Sequence, residues 1–288
     1  MQEHLEAVHR MQDYINQHLY EEINLTELSK ISLFSPWYSH RLFTQIVGYT
    51  IADYIRKLRL TKSVLRLRDN SDKITTIAFE IGFKSVDGYQ RAFFREFGCT
   101  PKDYASNPVP LNLFIPYPIN LNIERRISLE NVKTVFIQMV EKPKRKVLIK
   151  RGVKATEYFS YCEEVGCDVW GLLTSIKALA GEPICLWLSP QYIEANTSKY
   201  VQGVEVPLDY NGVVPEGFDV IELPATKYLM FKGEAFAEEE YKQAIEELQS
   251  AIAKYDPTIV GLAWDESNPR IQLEPIGTRG YIELMPVK

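Results

Sequence analysis

The sequence predicts a two-domain protein. An all-α N-terminal domain with two helix-turn-helix units precedes an α+β C-terminal domain that has an antiparallel sheet and duplicated βαββ units. The pattern before residue 107 is helical nearly throughout, with short turns that contain Gly or Ser. Four prolines crowd residues 107–122, a density that excludes helix. Short apolar runs typical of strands follow, interrupted by two helical stretches. We therefore place the domains at 1–107 and 123–288, joined by a Pro-rich linker at 108–122.

Composition indicates an ordinary globular protein. Of the 288 residues, 45% are apolar and 25% are charged. No run reaches the roughly 18 apolar residues of a membrane span, and the first residues lack the layout of a signal peptide, so a cytoplasmic protein is expected. The four cysteines and four histidines show no zinc-ligand spacing, which predicts free thiols and neither a metal site nor a cofactor.

Charge is unevenly distributed along the chain. Residues 1–108 hold 14 basic and 13 acidic residues, whereas residues 109–288 hold 19 and 25. In the first part, six basic residues lie between Arg56 and Arg68, and no acid occurs between Asp53 and Asp69. A local basic patch of this kind favours phosphate contacts, which makes double-stranded DNA the expected partner.

An internal repeat divides the first domain into two similar units. A shift of 50 residues aligns seven identical positions within residues 35–54, far more than chance gives. The aligned residues are Ser35, Arg41, Phe43, Gly48, Thr50, Asp53 and Tyr54 with Ser85, Arg91, Phe93, Gly98, Thr100, Asp103 and Tyr104. Each copy predicts a short helix, a turn, and a second helix that a serine caps and a glycine ends. A long helix over 51–68 would hold the two units about one DNA turn, or about 34 Å, apart.

The outward faces of the two second helices carry the candidate DNA-reading residues. Arg41 and Arg91 are equivalent in the repeat and can bind guanine through two hydrogen bonds. Asp87 repels phosphate unless it accepts from a cytosine amine, and Gly88 weakens its helix by about 1 kcal/mol. The alternative is a solvated helix face, with Trp37 packed under the turn. The predicted DNA-binding set is Ser35, Trp37, His40, Arg41, Ser85, Asp87, Gln90 and Arg91.

Three ordered blocks in this domain match a known family. They are Ile77 to Phe83, Arg91 to Gly98, and Thr100 to Tyr104. On these blocks, the stretch from about Glu6 to Tyr104 resembles the DNA-binding domain of AraC/XylS-type transcription regulators. The resemblance implies seven helices and two helix-turn-helix units whose second helices enter successive major grooves on one face of DNA.

The second domain contains a looser duplication. Each half offers a strand, a helix and two further strands. The first copy covers 146–151, 155–180, 184–189 and 201–208, and the second covers 227–233, 238–255, 271–274 and 280–287. Two such units would pair into one antiparallel sheet with the helices on one side and a groove along the pseudo-twofold axis.

This domain resembles the GyrI-like (Rob/BmrR-type) effector-binding domains. The residues that carry the resemblance are Phe218 to Tyr228, Arg270 to Glu274, and Pro286 to Lys288. It implies a multidrug-type pocket of aromatics around a buried glutamate that accepts bulky organic cations, because aromatic faces attract cations and a buried carboxylate needs a positive partner. Pro275 departs from the family, where an aromatic is usual. The predicted effector-binding set is Glu274, at the family position, with Glu283, Trp170, Trp187, Tyr192, Tyr228 and Trp264.

Together these patterns predict a ligand-responsive transcription regulator, not an enzyme. Its expected partners are promoter DNA, a small-molecule effector and RNA polymerase. Two alternatives stay open for the second domain, a small-molecule hydrolase and a protein-binding inhibitor module. A hydrolase there would have to combine glutamate with tyrosine, since no histidine follows His40. The alternative to a ligand-binding role is, for Glu274, an exposed acid at a strand end and, for the aromatic residues, ordinary packing in the hydrophobic core.

Overall fold

The computed structural model describes residues 2–70, 72–116 and 134–288 and divides the chain into two compact units, Met1–Asn122 and Ile123–Lys288. The first unit is helical and the second is α+β, as the sequence predicts. Among the described residues, each helix is too short or too polar to cross a bilayer.

The described residues of the first unit form seven helices. They are α1 Gln2–Gln17, α2 Leu25–Ser32, α3 Pro36–Val47, α4 Ile51–Asp69, α5 Ile74–Glu80, α6 Val86–Phe97 and α7 Pro101–Ser106. The pairs α2–α3 and α5–α6 are the two helix-turn-helix units. Helices α3 and α6 are both twelve residues long and begin fifty residues apart, so the repeat in the sequence is a repeat in structure.

Equivalent residues begin and end the repeated helices. Ser35 Oγ accepts a hydrogen bond from the Tyr38 backbone N–H at 3.4 Å, and Ser85 Oγ accepts one from Gly88 at 3.1 Å. These contacts satisfy backbone donors that a helix start leaves unpaired. At the other end, Gly48 and Gly98 adopt φ values of 82° and 73°, which glycine tolerates without strain.

Helix α4 is shared by two hydrophobic cores. Its first half contributes Ile51, Tyr54 and Leu58 to a core with α1–α3. Its second half contributes Leu60, Val64 and Leu67 to a core with α5–α7. Because the buried face changes along the helix, no single apolar stripe runs through its sequence. At 1.5 Å per residue, the 19 residues of α4 span about 28 Å.

The first part of the predicted linker packs onto the helical unit. Residues 108–116 form no helix or strand, but Leu111 and Leu113 are buried in the second core. Thr61 Oγ1 accepts a hydrogen bond from the Phe114 backbone N–H at 3.0 Å. The segment up to residue 116 therefore belongs to the first unit, and 117–122 lie outside the described residues.

Over residues 134–288, the described part of the second unit, there are eight strands and three α-helices. The strands are β1 Phe136–Lys142, β2 Arg145–Arg151, β3 Ile184–Trp187, β4 Tyr200–Val206, β5 Asp219–Leu223, β6 Thr226–Lys232, β7 Arg270–Gln272 and β8 Ile282–Val287, and the helices are α8 Tyr158–Val165, α9 Asp168–Ser175 and α10 Tyr241–Lys254. The single helix predicted over 155–180 is wrong. It is split into α8 and α9 because Gly166 adopts φ 102° and ψ 155°, which no α-helix accommodates.

The strands form one antiparallel sheet in the order β1-β6-β8-β7-β3-β4-β2-β5. The βαββ unit β2-α8/α9-β3-β4 occupies one half and the unit β6-α10-β7-β8 occupies the other. Strands β3 and β7 pair at the centre, with Leu186 opposite Ile271. The predicted duplication is therefore present, related by a pseudo-twofold axis between β3 and β7.

The sheet must be strongly curved. In the strand order, β1 and β2 are six strand spacings apart, which is about 29 Å in a flat sheet. Yet only Pro143 and Lys144 connect them, and three Cα–Cα steps reach about 11 Å at most. The two ends of the sheet are thus brought together where β1 continues into β2 and β5 continues into β6.

The two faces of the sheet have different partners. One face holds a core that includes Ile184, Leu186 and Ile271. Strand alternation puts Trp187 and Arg270 on the other face, where α9 and α10 pack in two further cores. The centre of this helix-bearing face is where the sequence predicts a groove.

Candidate DNA interface and effector cleft

Helix α3 buries one face and exposes the other. Ser39, Leu42 and Phe43 are buried, whereas His40 and Arg41 are exposed. Trp37 is 69% exposed and therefore does not pack under the turn. The Arg41 guanidinium lies over its ring, with the Cζ atom 5.5 Å from the ring centroid. This cation–π contact holds the two side chains together on the outer surface.

Helix α6 presents a matching surface. Tyr89 and Phe93 are buried, and Asp87, Gln90 and Arg91 are exposed. The Arg91 side chain folds back so that Nε donates to the Asp87 carbonyl oxygen at 3.3 Å.

Glycine at position 88 leaves room for the helix cap. A Cβ atom at this position would lie 3.0 Å from Ser85 Oγ, which caps the helix. The glycine that looked unfavourable in sequence is thus compatible with the capping geometry.

Most basic residues of α4 form ion pairs within the unit, and their contact with phosphate stays a prediction. Arg56 pairs with Asp53, Lys57 with Glu96 of α6, Arg66 with Asp72 and Glu80, and Arg68 with Asp69. These acids lie outside the acid-free stretch in sequence but fold back onto it. Lys62 on the same helix is exposed.

Arg59 is the most connected residue of this helix. Its guanidinium donates to three carbonyl oxygens, those of Leu19 at 2.8 Å, Glu21 at 2.6 Å and Gly82 at 2.9 Å. Burial lowers the pKa of the Arg59 guanidinium. The first two carbonyls lie between α1 and α2, and the third lies in the turn before α6. Arg59 therefore fixes one helix-turn-helix unit relative to the other.

A cleft of about 550 Å³ opens beside the central strands of the second unit. Trp187 and Trp264, two of the predicted effector-binding residues, line it. The other lining residues are Leu188, Ser189, Pro190, Lys199, Asp265, Glu266, Asn268, Arg270, Met285 and Pro286. Asp265 is held by Ser267 and Asn268, whose hydrogen bonds outweigh burial and lower the pKa of its carboxyl.

Glu283 lies behind this cleft and is fully buried. Its carboxylate accepts hydrogen bonds from Tyr281 Oη at 2.6 Å, Gln249 Nε2 at 3.1 Å and Arg270 Nε at 2.6 Å. Burial, and then the neighbouring Glu283, raise the pKa of the Tyr281 phenol, so that Tyr281 stays a donor. The carboxylate is thus paired and hydrogen-bonded, as a buried charge requires.

Other predicted effector-binding residues do not line the cleft. Glu274 is half-buried after the end of β7 and does not line the cleft, whereas Glu283 pairs with the lining residue Arg270. Tyr228 is core, and its hydroxyl accepts from the buried Arg145 at 3.3 Å. Trp170 is buried in α9. Tyr192 packs on the core of the opposite sheet face.

Sequence reasoning missed the charged residues that shape the cleft. An arginine at the start of a short strand, as at position 270, is typical of a solvated charge, so Arg270 gave no distinctive signal. The run Asp265 to Asn268 is rich in residues typical of a turn that side chains hydrogen-bond, and this composition could have indicated an ordered loop beside the site.

Comparison with known proteins agrees with both units. Residues 28–107 match a family described as a helix-turn-helix domain, and residues 163–260 match one described as an integron-associated effector binding protein. The regulatory protein SoxS of Salmonella typhimurium is 33% identical over 101 residues, which are 35% of this chain and 94% of SoxS. The right origin-binding protein of Escherichia coli is 33% identical over 95 residues, a third of each chain.

Solved structures match the first unit. The C-terminal domain of AraT, a response regulator from Geobacillus stearothermophilus, is 25% identical, with a TM-score of 0.33 over 35% of this chain and 84% of that one. The match to SoxS covers nearly all of that protein and lies in the first unit, and the two family matches cover one unit each. The chain belongs to the AraC/XylS family and is a DNA-binding transcription regulator with an effector-binding domain.

Proposed function

We propose that α3 and α6 read two successive segments of the major groove from a single chain. In this proposal Trp37, His40 and Arg41 face the bases of one segment, and Asp87, Gln90 and Arg91 face those of the other. Ser35 and Ser85 stand at the helix N-termini, where backbone N–H groups favour phosphate. The observation that carries the proposal is the exposure of equivalent arginines on two helices that have the same length and equivalent caps.

In the same proposal, the second unit binds the effector to which the regulator responds. We assign its effector site to the cleft lined by Trp187 and Trp264, where Arg270 links the aromatic surface to the buried Glu283. A small molecule bound there changes DNA affinity by its differential affinity for two states of the protein. RNA polymerase is the expected further partner for an output on transcription.

The test measures binding to a duplex that the full-length protein selects from a random library. Arg41→Ala and Arg91→Ala should each weaken binding about 5- to 150-fold, because a bidentate guanine contact contributes about 1–3 kcal/mol. Fluorescence anisotropy at fixed salt gives the affinities for the selected and for an unselected duplex.

Lys102→Ala is the matched control, since it removes one exposed positive charge from α7. Lys102→Ala should weaken binding to the selected and to the unselected duplex slightly and by the same factor. If the two arginine variants behave like this control, the arginines act only as general charge and the proposal is wrong.

A further inference from the structure

Arg270 separates the cleft from the buried carboxylate. Its side chain lines the cleft and is 28% exposed, whereas Glu283 does not line the cleft and has no exposed surface. The guanidinium pairs with Glu283 through two nitrogens. Anything that enters the cleft therefore meets Arg270 before it can reach Glu283.

The same guanidinium stacks on an aromatic wall of the cleft. The Arg270 Cζ atom lies 4.3 Å from the centroid of the Trp187 ring. The Trp187 ring is held in turn, since its Nε1 donates to the Thr156 carbonyl oxygen at 2.9 Å and the ring makes a T-shaped contact with Tyr200. A planar cation thus has an aromatic face on one side and a carboxylate at its edge.

These contacts define what the position accepts. Stacking on indole and pairing with a desolvated carboxylate both favour a positive group whose charge is delocalised and weakly hydrated. The other donors to Glu283, Tyr281 and Gln249, are neutral, so Arg270 carries the positive charge among its described partners. Without that guanidinium, the buried carboxylate would have no opposite charge beside it.

We propose that Arg270 is a tethered occupant of the effector's charged subsite, so that a cationic effector binds by displacing its guanidinium from Trp187 and Glu283. The inference rests on the proposed effector function of the second unit. It makes Arg270 the residue that determines how tightly a cation must bind to Trp187 and Glu283 in order to enter the subsite. Weak cations cannot compete with a group held at high local concentration by its own backbone.

The experiment uses two probes of the same shape and opposite charge, the tetraphenylphosphonium cation and the tetraphenylborate anion. Calorimetry on the full chain compares wild type, Arg270→Ala and the double variant Arg270→Ala/Glu283→Gln. Arg270→Ala should bind the phosphonium at least tenfold more tightly than wild type. The double variant should lose that gain, and the borate should not bind Arg270→Ala more tightly than wild type.

The outcomes separate this inference from the proposed function. Equal or weaker phosphonium binding by Arg270→Ala, beside measurable binding by wild type, overturns the inference and leaves effector binding in place. A gain that survives in the double variant also overturns it. Absence of phosphonium binding by wild type and Arg270→Ala alike overturns both the inference and the expectation that the effector of this cleft is a cation.

A second measurement tests the inference even if Arg270→Ala is less stable than wild type. Ethylguanidinium at millimolar concentration should refill the vacated position and raise the melting temperature of Arg270→Ala by about 3 °C or more, with no shift in wild type. The double variant is the control and should show no shift. If Arg270→Ala is not stabilised, or wild type is stabilised equally, the guanidinium is not the occupant of a ligand subsite.

Discussion

At the scale of single residues, Gly82 and Arg59 depend on each other. Gly82 adopts φ 86° in the turn before α6, and its carbonyl oxygen accepts from Arg59. A Cβ atom at residue 82 would lie 2.7 Å from Arg59 Cζ. The turn therefore needs glycine twice, once for its backbone conformation and once for the space that the guanidinium fills.

Replacing this glycine should lower the free energy of unfolding more than replacing Gly48, the glycine that ends α3. Gly48 also has a left-handed conformation, with φ 82°, but nothing lies within 4 Å of its would-be Cβ. Gly48→Ala should lower the free energy of unfolding by about 1 kcal/mol, from backbone strain. Gly82→Ala should cost at least about 1 kcal/mol more, since it also displaces Arg59. Urea denaturation measures both, and equal losses would show that the Arg59 contact contributes nothing.

At the scale of elements, a buried ion cluster pins the closure of the curved sheet. Arg145 is fully buried at the start of β2, and Glu205 of β4 pairs with it and with Lys142. The Arg145 guanidinium also donates to the carbonyl oxygens of Pro143 and Pro224, at 3.1 and 3.4 Å. Those prolines lie at the two short connections where the ends of the sheet meet.

Neutralising the acid of this cluster should destabilise the second unit strongly. Glu205→Gln leaves Arg145 buried without its counter-charge, and breaking a buried pair costs about 3–5 kcal/mol. The exposed pair Lys144–Glu222 provides the control, and Glu222→Gln should change stability by less than about 1 kcal/mol. Thermal unfolding followed by calorimetry compares them. Similar small losses in both variants would mean that the cluster does not hold the sheet closed.

The sequence indicates these elements better than it indicates their contacts. Serine caps, terminal glycines and the 50-residue repeat are local signals, so both helix-turn-helix units could be predicted. Arg59 gave no such signal, because its carbonyl partners are 23 to 40 residues away. The same limit explains why the sequence favoured Glu274 over Glu283 as the carboxylate of the effector site. Strand alternation allows either acid to face inward, and only the end of β7 at Gln272 decides between them.

At the scale of the whole molecule, the packed segment at 108–116 sets where the first unit ends. Leu111 and Leu113 are buried in its second core, and Phe114 packs on its first core. A fragment of residues 1–107 should therefore be less stable than one of residues 1–116 by about 4 kcal/mol, since each buried leucine contributes about 2 kcal/mol.

Chemical denaturation of the two fragments checks this expectation. The longer fragment carrying Leu111→Ala and Leu113→Ala is the control and should fall toward the shorter one. If the two fragments unfold at the same urea concentration, the segment is a linker after all and its burial adds no stability.

The central claim is that one chain binds two successive segments of the major groove, through α3 and α6, which α4 and Arg59 hold at a fixed separation. Inserting 5 or 10 base pairs between the two contacted segments of a selected duplex tests it most directly. Because the spacing is built into a single rigid unit, both insertions should reduce affinity to that of one segment alone, measured by anisotropy with the full-length protein. Recovery of full affinity at 10 base pairs would contradict the account, since it would mean that the two segments are read by elements free to move apart.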